Sequence, residues 1–179
     1  MPHSTELQTA TSNMAQSDAA RLLGLVLRTC QALQAMVASL EALDSVLLRF
    51  EQLATPGERP TELLAGTCDT VARVISLLRR EGPPLLFRAQ ALRLRLRLQG
   101  YASASPATVA MRRLHADLDG LAAFRMEDAA HWGFIVRRLR TNTMVLLAEF
   151  DAQRRGMSLP EAQPAPPPLE APAPIALAR

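Results

Sequence analysis

The sequence predicts an all-α fold, an antiparallel up-and-down bundle of four to five helices between disordered N- and C-terminal tails. Three observations point there. Between Ser17 and Leu53 the residues Leu23, Val26, Cys30, Leu33, Val37, Leu40, Asp44 and Leu47 recur at alternating steps of three and four, the period of a helix seam buried against other helices. Hydrophobic residues make up 49% of the chain while aromatics make up only 4%, so its core must be Leu, Val and Ala, which suits helix-on-helix packing. The connections between periodic segments are short, about two to seven residues, which forces antiparallel neighbours and excludes a course built on long crossovers.

In chain order, 1–16 is rich in Thr, Ser and Gln without periodicity and reads as a disordered tail. Ser17 offers an N-cap, and Asp18 follows it in the first turn, where the helix dipole favours negative charge. The helix begun there spans about 37 residues, roughly 55 Å at 1.5 Å per residue. Leu22, Leu27, Met36, Leu43, Val46, Phe50 and Leu53 widen its seam, as contact with two neighbours requires. Asp44 is the polar member of the seam, either solvated at an open end or paired with an arginine that sets register.

A turn is expected at 54–60, which holds two prolines and a glycine. Thr61–Arg80 resumes the rhythm through Leu64, Cys68, Val71, Ile75 and Leu78, and Gly82, Pro83 and Pro84 are expected to stop it. From Leu92 to Leu98 leucine and arginine alternate strictly, the strand period, yet no other segment could pair with a strand. As a helix the segment carries leucine on two opposed faces with arginine between them, so it can bridge two apolar surfaces. A strand paired with its twin in a homodimer is the alternative. Ser105 and Pro106 open a last helical region that reaches Arg155 through Val109, Leu114, Leu118, Leu121, Trp132, Ile135, Leu139, Leu146 and Phe150. A kink or break is expected between Phe124 and Ala130, where Arg125, Glu127 and Asp128 interrupt the stripe, and Gly156 ends the helix. The bundle domain is thus 17–156, and 157–179, with seven prolines, reads as a disordered, polyproline-like tail.

The totals bound function. All 20 basic residues are arginine, and a net charge of +3 is too modest for a dedicated nucleic-acid binder. The N-terminus shows no secretory or transit signal, no run of 18 uninterrupted apolar residues exists, and Cys30 and Cys68 read as buried reduced thiols, with a disulfide as the alternative. A cytoplasmic location follows.

Candidate chemistry is sparse. Asp128 and His131 stand three apart on one helix, but a di-iron bundle needs that motif twice with two further glutamates. His115 lacks the lysine-glycine context of a phosphotransfer histidine, and Asp117 and Asp119 fall on different sides of a helix. No nucleophile elbow or phosphate-cradling glycine loop appears. Hence neither catalytic, cofactor-binding nor metal residues are assigned and no enzyme is expected.

What remains is a non-catalytic interaction protein: a cytoplasmic adaptor, assembly factor or structural component that self-associates through surplus apolar helix face. The contact residues expected for it are Arg88, Arg93, Arg95, Arg97, Leu92, Leu94, Leu96 and Leu98, the most basic local stretch in the chain. Replacing Arg93, Arg95 and Arg97 with Glu is expected to abolish binding while sparing helical content. The alternative function is a coat on anionic lipid or a hydrophobic granule, with 92–98 as its amphipathic contact, and an acidic protein is the other anionic surface that the arginine patch would suit.

Overall fold

The computed structural model describes residues 3–53, 61–124 and 129–157, with side chains over 16–52, 66–124 and 131–157. Among them are four α-helices and no strand: α1 (His3–Leu53), α2 (Thr61–Leu98), α3 (Ser105–Gly120) and α4 (Ala129–Met157), with a single 3-10 turn, Leu121–Ala123, after α3. The expected turn at 54–60, Asp128 and the proline-rich 158–179 lie outside the described residues.

Helix α1 begins at His3, within the segment expected as a tail, and Ser17 is an interior residue rather than a cap. No Gly or Pro lies between His3 and Arg21. Extending an existing helix through such residues adds a hydrogen bond per residue and avoids the cost of a new nucleus. Val26, Cys30, Leu33, Leu40 and Leu47 are buried as the seam predicts. Leu22, Met36 and Leu43 take its centre, while Leu23 and Val37 are half-buried. By length and mean hydropathy (1.3) the stretch Gln16–Gln52 could cross a bilayer, which a count of uninterrupted apolar residues misses; 33% of its most apolar window is buried inside the protein.

Helix α2 runs through Pro83 and Pro84 where a stop was expected, so the two predicted segments 61–80 and 85–99 are one helix of 38 residues. A proline inside a helix costs about 3 kcal/mol, by losing a backbone donor and crowding the preceding turn. Here both rings and the turn of Arg79 and Arg80 are exposed, so the carbonyls left without a partner face solvent. Burial of Leu85, Leu86, Ala89, Leu92 and Leu96 just beyond offsets the cost. The strand alternative for 92–98 is thereby overturned.

Gly82 has a packing role instead of a terminating one. A Cβ built there would lie 2.8 Å from Cδ1 of Leu118, so the missing side chain lets α3 close onto α2. Gly100, at φ +87°, makes the turn out of α2 that only glycine adopts without strain. Ser105 is the first helical residue of α3 rather than its cap; Ala104 is the N-cap and supplies no side-chain bond. Val109, expected in the stripe, is exposed, and Ala107, Ala110, Met111, Leu114 and Leu118 are buried. The break expected near 124–130 is present: α3 stops at Gly120, the 3-10 turn follows, and α4 starts at Ala129. Helix α1 packs on α4 and on α2, and α3 packs on those same two, around one apolar core.

Candidate interaction surface

The second half of α2 is divided by its helical period. Leu92 and Leu96 turn into the core, whereas Leu94 and Leu98 are 58% and 80% exposed. Leucine on two opposed faces is what the alternating pattern implies once it is wound as a helix, and here one of those faces is core and the other is exposed. Arg88, Arg95 and Arg97 are exposed. Leu92, Arg93 and Leu96 are buried and cannot belong to an outer surface, which corrects their assignment.

Phe87, which the sequence reading passed over, is 72% exposed. With Ala91, Leu94 and Leu98 it makes an outward row at steps of four, three and four, the same period as a buried seam. The strict Leu/Arg alternation begins only at Leu92, so it does not point to the row's first member, whereas the four-three-four spacing does.

Arg93 lies at the centre of a buried polar network at one end of the core. Its Nε donates to Oε1 of Glu149 at 3.0 Å, and its Nη2 donates to Oγ of Ser103 at 2.7 Å and Oγ1 of Thr108 at 3.0 Å. Oγ of Ser103 in turn donates to the same carboxylate oxygen at 3.3 Å. Nε2 of Gln153 donates to that oxygen at 3.3 Å and to the Ala102 carbonyl at 3.2 Å. The network ties the end of α2, the turn 101–104, the start of α3 and the end of α4 together. Arg93→Glu would place a second carboxylate beside Glu149, so the triple glutamate replacement is expected to destabilise the fold as well as change the surface.

Two further ion pairs reach α4. Nε of Arg138 donates to Oδ2 of Asp117 at 2.9 Å and its Nη2 to Oδ1, a bidentate contact that raises the arginine's pKa against the lowering by burial, with the charge of Asp117 adding to the rise. Asp44 is buried with Nε of Arg137 3.9 Å from Oδ1, so the seam aspartate faces an arginine rather than an open end.

No protein-family description, curated protein or solved structure matches the chain.

The remaining titratable candidates do not converge. Among the described residues no group of three His, Cys, Asp or Glu could hold a metal ion. His131 is exposed and stacks edge-on to Trp132 at 5.4 Å, and Asp117 is occupied by Arg138. Cys30 and Cys68 are separate free thiols, the first buried and the second half-buried. Burial pushes the Cys30 thiol up, Asp151 adds to this, and Arg154 opposes it.

Proposed function

We propose that this chain is a non-catalytic interaction protein, a cytoplasmic adaptor, assembly factor or structural component, that self-associates through the outward row of α2. The observation that carries this reading is the row itself: Phe87, Leu94 and Leu98 at 72%, 58% and 80% exposure on one side of a helix whose other side is core. Large apolar side chains aligned this way are costly to leave in water, and such alignments mark contact sites. Ion pairing of the buried charges, Arg93 with Glu149 and Asp117 with Arg138, supports a structural use for them over a catalytic one.

The fold beneath this surface is read as an antiparallel up-and-down bundle. Cys30 feels the charge of Asp151 while Asp44, further along α1, meets Arg137, earlier in α4. Gly82 faces Leu118 while Arg93, further along α2, meets Thr108, earlier in α3. Reversed order in each pair supports opposite helix directions.

Light scattering across a concentration series tests self-association. The expected result is a mass above the 19.5 kDa of one chain, returning to that value in Leu94→Ser/Leu98→Ser with helical dichroism unchanged. A single-chain mass at every concentration refutes the reading.

A second reading is a coat on anionic lipid or a hydrophobic granule. It is favoured by the exposed arginines Arg95 and Arg97, which lie next to Leu94 and Leu98 and form no ion pair among the described residues. Salt-sensitive co-sedimentation with phosphatidylserine vesicles supports it; none refutes it.

A further inference from the structure

We infer that the groove between α1 and α2 receives an acidic amphipathic helix from a partner protein. Two cavities of about 290 and 360 Å³ lie side by side there and share Ala32, Leu85 and Arg88. Together they run along α1 from Leu25 to Ser39, about 21 Å of helix and so about four turns. Ala32, Ala35 and Ser39 on the α1 side are small, and Met36 and Leu85 make an apolar floor. Small side chains on one wall let a third helix approach to the 8–10 Å at which helices interlock.

The rim decides the chemistry of the occupant. Arg28 on α1 and Arg88 and Arg95 on α2 are exposed, and among the described residues none forms an ion pair. Glu81 is the acid of the lining, and its Oε1 already accepts from Nε of Arg80 at 2.9 Å. An apolar trough bordered by three uncompensated cations complements a helix with leucines at i, i+3, i+4 and i+7 and carboxylates on its flanks. A second copy of the chain fits badly, because it brings the same three arginines to the rim. A bilayer would rest on the ridges and leave the trough unfilled. The outward row meets this groove at Phe87 and Ala91, which line its second cavity, whereas Leu94 and Leu98 lie outside the lining. The inference goes beyond self-association because its occupant is chosen by the arginines of the rim.

The test titrates the full chain against two fluorescein-labelled helical peptides of about 16 residues that share one leucine face, flanked in one by Glu and in the other by Lys. Anisotropy should show the Glu peptide binding at least about tenfold tighter, with the preference shrinking as salt rises. Arg88→Glu/Arg95→Glu should weaken the Glu peptide by about tenfold or more and leave the Lys peptide no weaker. Equal affinity for the two peptides, or no effect of the charge reversal, overturns the inference. Binding to phosphatidylserine vesicles with no uptake of either peptide overturns it in favour of a membrane. Light scattering on the same samples keeps the readings apart. Peptide discrimination by a chain that stays monomeric supports the groove and removes self-association, and an oligomer without discrimination does the reverse.

Discussion

The guanidinium of Arg93 and the carboxylate of Glu149 meet at 3.0 Å inside the protein, with side-chain exposures of only 9% and 4%. The arginine is held by Oε1 of Glu149, Ser103 and Thr108, and Gln153 donates to the same Oε1, while Oε2 of Glu149 and Oε1 of Gln153 are buried without a hydrogen-bond partner among the described residues. The pair joins α2 to the end of α4, helices that otherwise have little contact. It therefore fixes how one end of the helix set closes.

Removing one partner should cost far more than removing both. Glu149→Ala leaves a buried cation uncompensated and is expected to lower unfolding free energy by about 3–5 kcal/mol. Arg93→Met/Glu149→Leu should lose much less than the sum of the two single changes, because no charge is stranded. Urea denaturation of the parent, Arg93→Met, Glu149→Leu and the double variant measures the coupling; additive losses would mean the pair contributes nothing beyond its separate atoms.

Two glycines in helices should respond with opposite signs. At Gly24 a Cβ meets nothing within 4 Å, so Gly24→Ala is expected to stabilise α1 by up to about 1 kcal/mol. At Gly82 the Cβ meets the buried Leu118 side chain at 2.8 Å, and crowding of about 1–3 kcal/mol outweighs the propensity gain. Melting temperatures should rise for the first and fall for the second. A rise at Gly82 would mean that Leu118 shifts aside freely.

What was legible in the chain was whatever repeats locally. The period of Val26, Cys30, Leu33, Leu40 and Leu47 shows which side of α1 is covered before any partner is known. The Leu92–Leu98 alternation likewise gives opposed faces as soon as a helix is assumed. Non-local facts were not legible. Arg93 and Glu149 are 56 residues apart, and nothing near either marks its partner, so a buried ion-pair arginine read as a surface contact. Pro83 and Pro84 obeyed the local rule for a helix end, but Leu118 against Gly82 and the apolar run from Leu85 overrode it. The groove was invisible for the same reason: Arg28 is brought to Arg88 and Arg95 only by the packing of α1 on α2.

Lysine should not replace Arg138. Both oxygens of the buried Asp117 accept from the guanidinium, and an ammonium cannot reproduce that fork. Arg138→Lys is expected to cost about 1 kcal/mol, with 39% side-chain exposure screening part of the effect. Arg138→Ala should cost more, since it leaves the aspartate buried without its cation. Equal stability of the lysine variant and the parent in urea would refute the bidentate role.

The two thiols should differ in reactivity and in their effect on pH stability. Cys68 is half-buried beside a cavity of about 490 Å³, whereas Cys30 is enclosed in the core. A disulfide reagent should therefore label Cys68 first, and Cys30 only as denaturant opens the helices. Burial holds the Cys30 pKa above its unfolded value, so between the two values the unfolded chain binds fewer protons than the folded one. Stability is then unaffected by this group below about pH 8.5 and falls as pH rises beyond it. Cys30→Ala removes that slope, so the stability advantage of the parent over the variant should shrink from pH 8 toward pH 10. An advantage that stays level over this range, or a Cys30 that labels as fast as Cys68, would show that the thiol is not sealed inside the core.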